Sequence, residues 1–321
     1  MKYPPELNSH GRRVLLYAII FLLSAQDICF GGNLEGKLVF STQHELEIIS
    51  LEQEYRWKTP STIHLPHKGD MAFHPAWLPD GAKVIFEYSP WTDDINNLKQ
   101  YFAIIDIRNT AINRLQDHFF KKNEEGNHSY PKWSPNGKGL AFLDHERTSH
   151  VRNEKGAIIG TKYLNRLLFF DKKTEKVMSL GKVYADLSPL AWSTDSKKII
   201  YGSAEGEIVV FDLDNSSSQI LCKGRNPVIN PANGHIYYIT PENHLFAISI
   251  DGKSSLKIDD ADWRWSQLVD ISKDGNNLFF TDGGSFLMWE YKTIQMINLL
   301  SHKKRTISKK YAIIHGASLF R

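Results

Sequence analysis

The sequence predicts an all-β chain folded as a six-bladed β-propeller, its ring closed by pairing of N- and C-terminal strands. Three observations lead there. A phrase made of a tryptophan and a tight turn recurs along the chain. Short apolar segments rich in β-branched and aromatic residues follow each copy. No long amphipathic helix separates the copies.

The clearest copy is Trp133-Ser134-Pro135-Asn136-Gly137-Lys138, ahead of Leu140-Ala141-Phe142. Proline presets the second position of a turn, and glycine closes it where positive φ is favoured. Trp77 with Leu78-Pro79-Asp80-Gly81, and Trp192 with Ser193-Thr194-Asp195-Ser196, repeat the pattern ahead of Val84-Ile85-Phe86 and Ile199-Ile200-Tyr201. Weaker copies follow Ile229 and Ile271, in Asn230-Pro231-Ala232-Asn233-Gly234 and Ser272-Lys273-Asp274-Gly275. Spacings of about 37 to 59 residues suit a unit of four short strands, which buries its faces only by stacking on copies of itself. A second strand is expected at 101–107, 167–171, 207–212 and 245–250, and a third, more polar one at 110–115, 176–180, 219–222 and 255–258. Lys37–Phe40 and Glu45–Ile49 begin a further blade that lacks its own tryptophan strand; the segment 312–320 is expected to supply it and so remove the exposed sheet edges. The longer spacings also leave room for a degenerate seventh copy.

The Trp-Ser-Pro-Asn-Gly-Lys phrase resembles the repeat of TolB-like six-bladed propellers, a branch of the WD-like superfamily, over about residues 36–321. The resemblance implies the propeller architecture. TolB carries an α/β domain ahead of its propeller, and the residues before 36 leave no space for one, so the similarity stops at the propeller.

Residues 1–31 read as a secretory signal peptide: Arg12-Arg13 precede an apolar run from Val14 to Ala25, too short to span a bilayer comfortably, with Gly31 and Gly32 as a cleavage site. An uncleaved membrane anchor is the alternative. The expected location is periplasmic or extracellular, with any membrane contact confined to that segment. Residues 32–321 form one propeller domain, with 41% apolar and 12% aromatic content in the whole chain to build its core. Thirty-nine basic against 36 acidic residues give a net charge of +3, too small an excess to indicate nucleic acid. Once Cys29 is cleaved away, Cys222 stands alone, so no internal disulfide is expected.

Function in a propeller sits on the face bearing the loops between second and third strands. Three such loops are long: 89–99 with Trp91, Asp93 and Asp94; 144–163 with His145, Arg147 and Arg152; and 283–291 with Trp289 and Tyr291. One reading is a recognition surface with aromatic anchors and polar orienting groups. The other makes 144–163 a β-hairpin extension with solvated charges. His74 and Tyr130 each stand three residues before a repeat tryptophan, where they are expected to line the channel mouth. Trp77, Trp133 and Trp192 are expected in the core, and one of Trp263 and Trp265 on the surface.

No nucleophile elbow, phosphate loop, Cys-x-x-Cys or His-Glu-x-x-His is present, so no catalytic residue, metal or cofactor is assigned. The sequence thus points to a monomeric protein- or peptide-binding scaffold. The alternative is a propeller hydrolase or lyase acting on carbohydrate or peptide, which needs His74, Tyr130, Asp186 or Arg264 to converge.

Overall fold

Six four-stranded antiparallel sheets make the blades. The computed structural model describes residues 36–320 apart from 43, 52–59, 93–99, 116–127, 153–157, 184–189, 287–288, 310, 312 and 315–316. It describes the backbone alone at 146–152, 158–164, 284–286 and 289–291. The signal-peptide segment and Cys29 lie outside the described residues.

From the channel outward, blade one is β24 (Ala317–Phe320), β1 (Lys37–Ser41), β2 (Glu45–Ser50) and β3 (Ser61–His64). Blade two is β4 (Met71–Trp77), β5 (Lys83–Ser89), β6 (Tyr101–Asp106) and β7 (Ile112–Arg114). Blade three is β8 (His128–Trp133), β9 (Gly139–Arg152), β10 (Ile158–Asp171) and β11 (Lys176–Lys182). Blade four is β12 (Ala191–Trp192), β13 (Lys198–Gly202), β14 (Glu207–Asp212) and β15 (Ser217–Lys223). Blade five is β16 (Arg225–Ile229), β17 (Ile236–Ile239), β18 (Leu245–Ile248) and β19 (Ser255–Asp259). Blade six is β20 (Gln267–Ile271), β21 (Asn277–Phe286), β22 (Trp289–Asn298) and β23 (Lys304–Thr306).

The expected closure is present: Lys37 to Phe40 pair antiparallel with Phe320 to Ala317, so the last strand is the innermost strand of the first blade. Middle strands are buried on both faces, as in Ile236–Ile239, whereas outer strands such as Ser217–Lys223 face water. That gradient explains why apolar runs mark the inside and polar runs the rim.

Among the described residues the core divides into six apolar clusters, one in each seam between neighbouring blades. The tryptophan position supplies a wedge to every seam. Trp77 packs with Val39 and Leu46 of the preceding blade, Trp133 with Ile85 and Phe102, and Trp192 with Ala141 and Leu167. Ile229, Ile271 and Leu319 occupy the same place in the other three. The indole N–H of Trp77 donates to the Ser318 carbonyl (3.2 Å), and that of Trp192 to the Lys132 carbonyl (3.1 Å), each on the preceding blade's innermost strand. The repeated phrase is therefore an instruction for docking one blade on the last.

Its turn is equally regular. Ser134, Ser193 and Ser272 each donate through Oγ to the side-chain oxygen two residues on, at 2.8, 2.6 and 2.5 Å. That oxygen then accepts the backbone N–H of Lys138, Lys197 or Asn276. The fourth position is left-handed at Gly81 (φ 62°), Gly137 (68°), Ser196 (61°) and Gly275 (78°), and in the one-residue-longer turn of blade five the fifth, Gly234 (73°), takes that place. Ser196 tolerates this conformation while its Oγ accepts the Asn136 N–H of blade three at 3.1 Å.

Two of the three long loops are ribbons. β9 and β10 stay paired as far as Arg152 and Ile158, beyond the ends of β8 and β11, so the hairpin extension is what the backbone adopts. β21 and β22 pair as far as Phe286 and Trp289. Blades three and six lie opposite each other in a six-membered ring, so the ribbons rise on opposite sides of the channel mouth.

Candidate functional site

The innermost strands are not straight. In β4, β8 and β16 the pairing register slips at one place, and the residue there has positive φ: His74 (45°), Tyr130 (52°) and Asn226 (54°). Each is followed by proline, at 75, 131 and 227, which has no N–H for the ladder and is tolerated at a bulge. The sequence carries the signal, a residue-proline pair ending two residues before the wedge position. The bulge re-aims the side chains of His74 and Tyr130 toward the channel. Their rings stack with centroids 3.6 Å apart and planes 25° from parallel.

Behind the stack lies Glu87 of β5, only 2% exposed. Its Oε1 accepts from His74 Nδ1 (2.6 Å) and from the Tyr130 backbone N–H (2.8 Å), and its Oε2 accepts from Gln100 Nε2 (3.0 Å). One carboxylate thus ties blades two and three together and holds a strained backbone in place. Sequence reasoning missed Glu87, because it sits inside the apolar strand Val84–Tyr88 and its decisive partner comes from another blade.

A cavity of about 60 Å³ opens at this end of the channel, lined by His74, Tyr130, Lys132, Gln267, Thr281 and Ser318 over an apolar floor that includes Pro75, Pro131, Leu268 and Val269. Farther along, about 250 Å³ is lined by Trp77, Trp133, Trp192, Asp270 and Phe320. Lys132 and Ser318 contact both, which places the two in sequence along the axis.

Trp91 begins the blade-two loop. Its side chain is 61% exposed, yet its place is fixed from both ends. Its backbone N–H donates to Asp70 Oδ1 (2.8 Å), and its ring lies so close over Gly69 that a Cβ there would stand 2.8 Å from it. Asp70, 1% exposed, also accepts from Tyr88 Oη (2.5 Å) and the His67 N–H (3.0 Å). Burial pushes this carboxyl up, but the bonds from Tyr88, Trp91 and His67 outweigh it and leave it below the usual range. The Tyr88 phenol is raised, by burial first and then by its bond to Asp70. A depressed carboxyl stabilises the fold above its unfolded pKa and loses that contribution as pH falls through the folded value. Tyr88→Phe is expected to cost about 1.5–3 kcal/mol at neutral pH and to flatten the loss of stability below about pH 4, as read from denaturant midpoints against pH.

The other expected site residues are placed as follows. His145 lies on β9, its Nδ1 donating to Asn165 Oδ1 (2.5 Å) while Ser129 Oγ meets its Nε2. Hydroxyl, imidazole and amide are thus in line as in a nucleophile relay. Ser129 lines neither channel cavity, and the relay joins three strands at the top of blade three. Arg147 and Arg152 pair across the ribbon with Tyr163 and Ile158, and Trp289 and Tyr291 with Phe286 and Gly284. Their side chains, and all of Asp93 and Asp94, lie outside the described residues.

Trp265 is 72% exposed on the connection into blade six, on the same face as Trp91. Its neighbour Trp263 is buried against Phe280 beneath the Lys304 ammonium. Arg264 pairs with Asp262 and lines neither cavity; Asp186 is outside the described residues. Among the described residues no group of three or more His, Cys, Asp or Glu could hold a metal ion, and no helix is long and apolar enough to cross a membrane. Burial raises the Cys222 thiol, consistent with a structural cysteine.

No family model and no curated protein matches the chain. Solved structures do. TolB from Acinetobacter baumannii superposes with a TM-score of 0.62 at 13% identity, covering 98% of this chain and 74% of that one. The fold is TolB-like. A TolB-labelled structure from Agrobacterium tumefaciens gives 0.54 at 15% identity, covering 91% of this chain and 100% of that one. A propeller in a nidogen/laminin complex gives 0.59 at 10% identity, over 88% and 97%. At these identities the TolB-like likeness is one of architecture.

Proposed function

We propose that the chain is an exported, monomeric scaffold that binds a protein or peptide on its loop-bearing face and at the channel mouth. Trp91 carries this reading. An indole that is mostly in water, yet pinned through its backbone and its ring, offers large apolar area with little entropy left to lose on binding. Trp265 presents a second indole on that face, and the channel mouth lies between them. The charged-then-apolar order of residues 12–25 supports export. The nidogen/laminin complex is a precedent for this fold within a protein assembly. The enzyme alternative has less behind it, since Arg264 is engaged with Asp262, away from His74 and Tyr130.

The test is capture of partners from an envelope or secreted extract by immobilised protein, compared with Trp91→Ala of unchanged melting temperature. Loss of an anchor of this kind weakens a complex by about 30-fold, and the captured partner is expected to disappear from the variant. Equal capture by both proteins counts against the reading.

A further inference from the structure

We propose that Trp91 and Trp265 are the two ends of one grip, which takes an extended polypeptide segment laid across the channel mouth with an apolar side chain at each end. The proposal rests on the protein-binding reading above and adds the form of what is bound. Both indoles stand mostly in water, and each is carried on backbone that an ionic group behind it holds in place. Behind Trp91 the buried Asp70 accepts N–H groups. Behind Trp265 the polarity is reversed. The half-buried Arg225, first residue of β16, donates through Nη2 to the carbonyls of Trp263 (3.0 Å) and Arg264 (3.1 Å), and through Nη1 to that of Ser266 (3.2 Å). These carbonyls bracket residue 265. The Trp263 N–H donates to the Asn243 carbonyl (2.9 Å), and Ser266 Oγ to Asp282 Oδ1 (3.2 Å) at the base of the blade-six ribbon. A connection tethered at so many points has little backbone freedom left to lose when a partner covers the indole.

Ring order selects the shape of the occupant. Trp91 follows β5 in blade two, and Trp265 lies on the connection from blade five to blade six, so the line between them crosses the channel mouth. The ribbons of blades three and six fall on opposite sides of that line. Beyond the Asp144–Arg166 pair, β9 and β10 run on to Arg152 and Ile158, about 25 Å at the rise of a strand. Beyond the Gln267–Thr281 pair, β21 and β22 run on to Phe286 and Trp289, about 16 Å. A globular domain approaching this face meets both ribbons before it reaches both indoles, whereas a single extended chain fits the trough between them. When one chain carries both contacts, the second forms within the complex, and its gain depends on the spacing of the two side chains.

Capped peptides with a phenylalanine at each end of a Gly-Ser spacer test it, because a phenyl ring packs well against an indole. Spacers of about 4, 8 and 12 residues reach about 17, 30 and 43 Å when extended, and a control of each length carries one phenylalanine. The full-length protein is labelled with 5-fluorotryptophan, and Trp91→Ala and Trp265→Ala assign the two fluorine signals. One spacer is expected to bind at least about tenfold more tightly than its control and to shift both signals with a single dissociation constant. Either alanine variant, each at an exposed indole, is expected to return that peptide to the affinity of the control. Binding of every two-phenylalanine peptide within about twofold of its control overturns the proposal, since two independent sites give no more than that. A tighter peptide that shifts only one of the signals overturns it as well. Failure of all spacers while Trp91 still governs partner capture removes this inference and leaves the binding scaffold standing; capture that ignores Trp91 removes the scaffold reading on its own test.

Discussion

Glu87→Ala is expected to lower folding stability by about 2–4 kcal/mol, a large share of what a domain possesses. The substitution removes one carboxylate and strands three donors. The Tyr130 N–H, at a residue held at φ 52°, loses its acceptor inside the seam between blades two and three. His74 loses the bond that orients its ring, and Gln100 loses its side-chain bond to the strand. The stacked pair at the channel mouth then loses the carboxylate that anchors it. Glu87→Gln is expected to cost roughly half as much, since its amide oxygen still accepts from Tyr130 while its NH2 opposes another donor. Denaturant unfolding of the three proteins checks the order, with the His74 ring resonances reporting whether the stack survives.

Removal of residues 317–321 is expected to be more damaging still. The deletion takes away β24, and with it the pairing to β1 and the wedge Leu319, which is 6% exposed. Trp77 loses the Ser318 acceptors for its backbone and indole N–H. Buried area and bonds of this kind total about 5 kcal/mol, and the freed edge of β1 becomes a template for aggregation. The expected observation is a broad, early melt with concentration-dependent precipitation. A milder pair isolates the same contact. At Gly81 (φ 62°) an added Cβ would stand 2.3 Å from the Phe320 ring, whereas at Gly137 (φ 68°) its nearest neighbour is Pro79 at 3.6 Å. Gly137→Ala therefore costs only the left-handed conformation, about 1 kcal/mol, and Gly81→Ala is expected to cost more because it must also push aside the Phe320 ring of the closing strand.

The fold was legible in the sequence for a physical reason. A tryptophan large enough to fill a seam, followed by a turn that needs positive φ, leaves a mark in residue types at every copy. Closure was legible too, because Lys37–Phe40 had no tryptophan strand of its own and the chain's last apolar run had no other partner. The long segments at 144–163 and 283–291 were harder, since length alone does not distinguish a loop from a ribbon that continues the blade's pairing. Glu87 was invisible: it reads as a polar member of an alternating strand, and its role comes from the Tyr130 N–H that another blade brings to it. His74 and Tyr130 were found by position, although the proline after each, repeated after Asn226, is the better sign, because it forecasts the bulge that turns those rings toward the channel.

The most direct measurement is hydrogen exchange on the complex with a captured partner. The account predicts added protection on the loop-bearing side, at 69–73, 89–92, 128–131 and 280–283, with the turns at 78–82, 134–138, 193–197 and 272–276 exchanging as in the free protein. Protection confined to those turns would place the partner on the other face and contradict it.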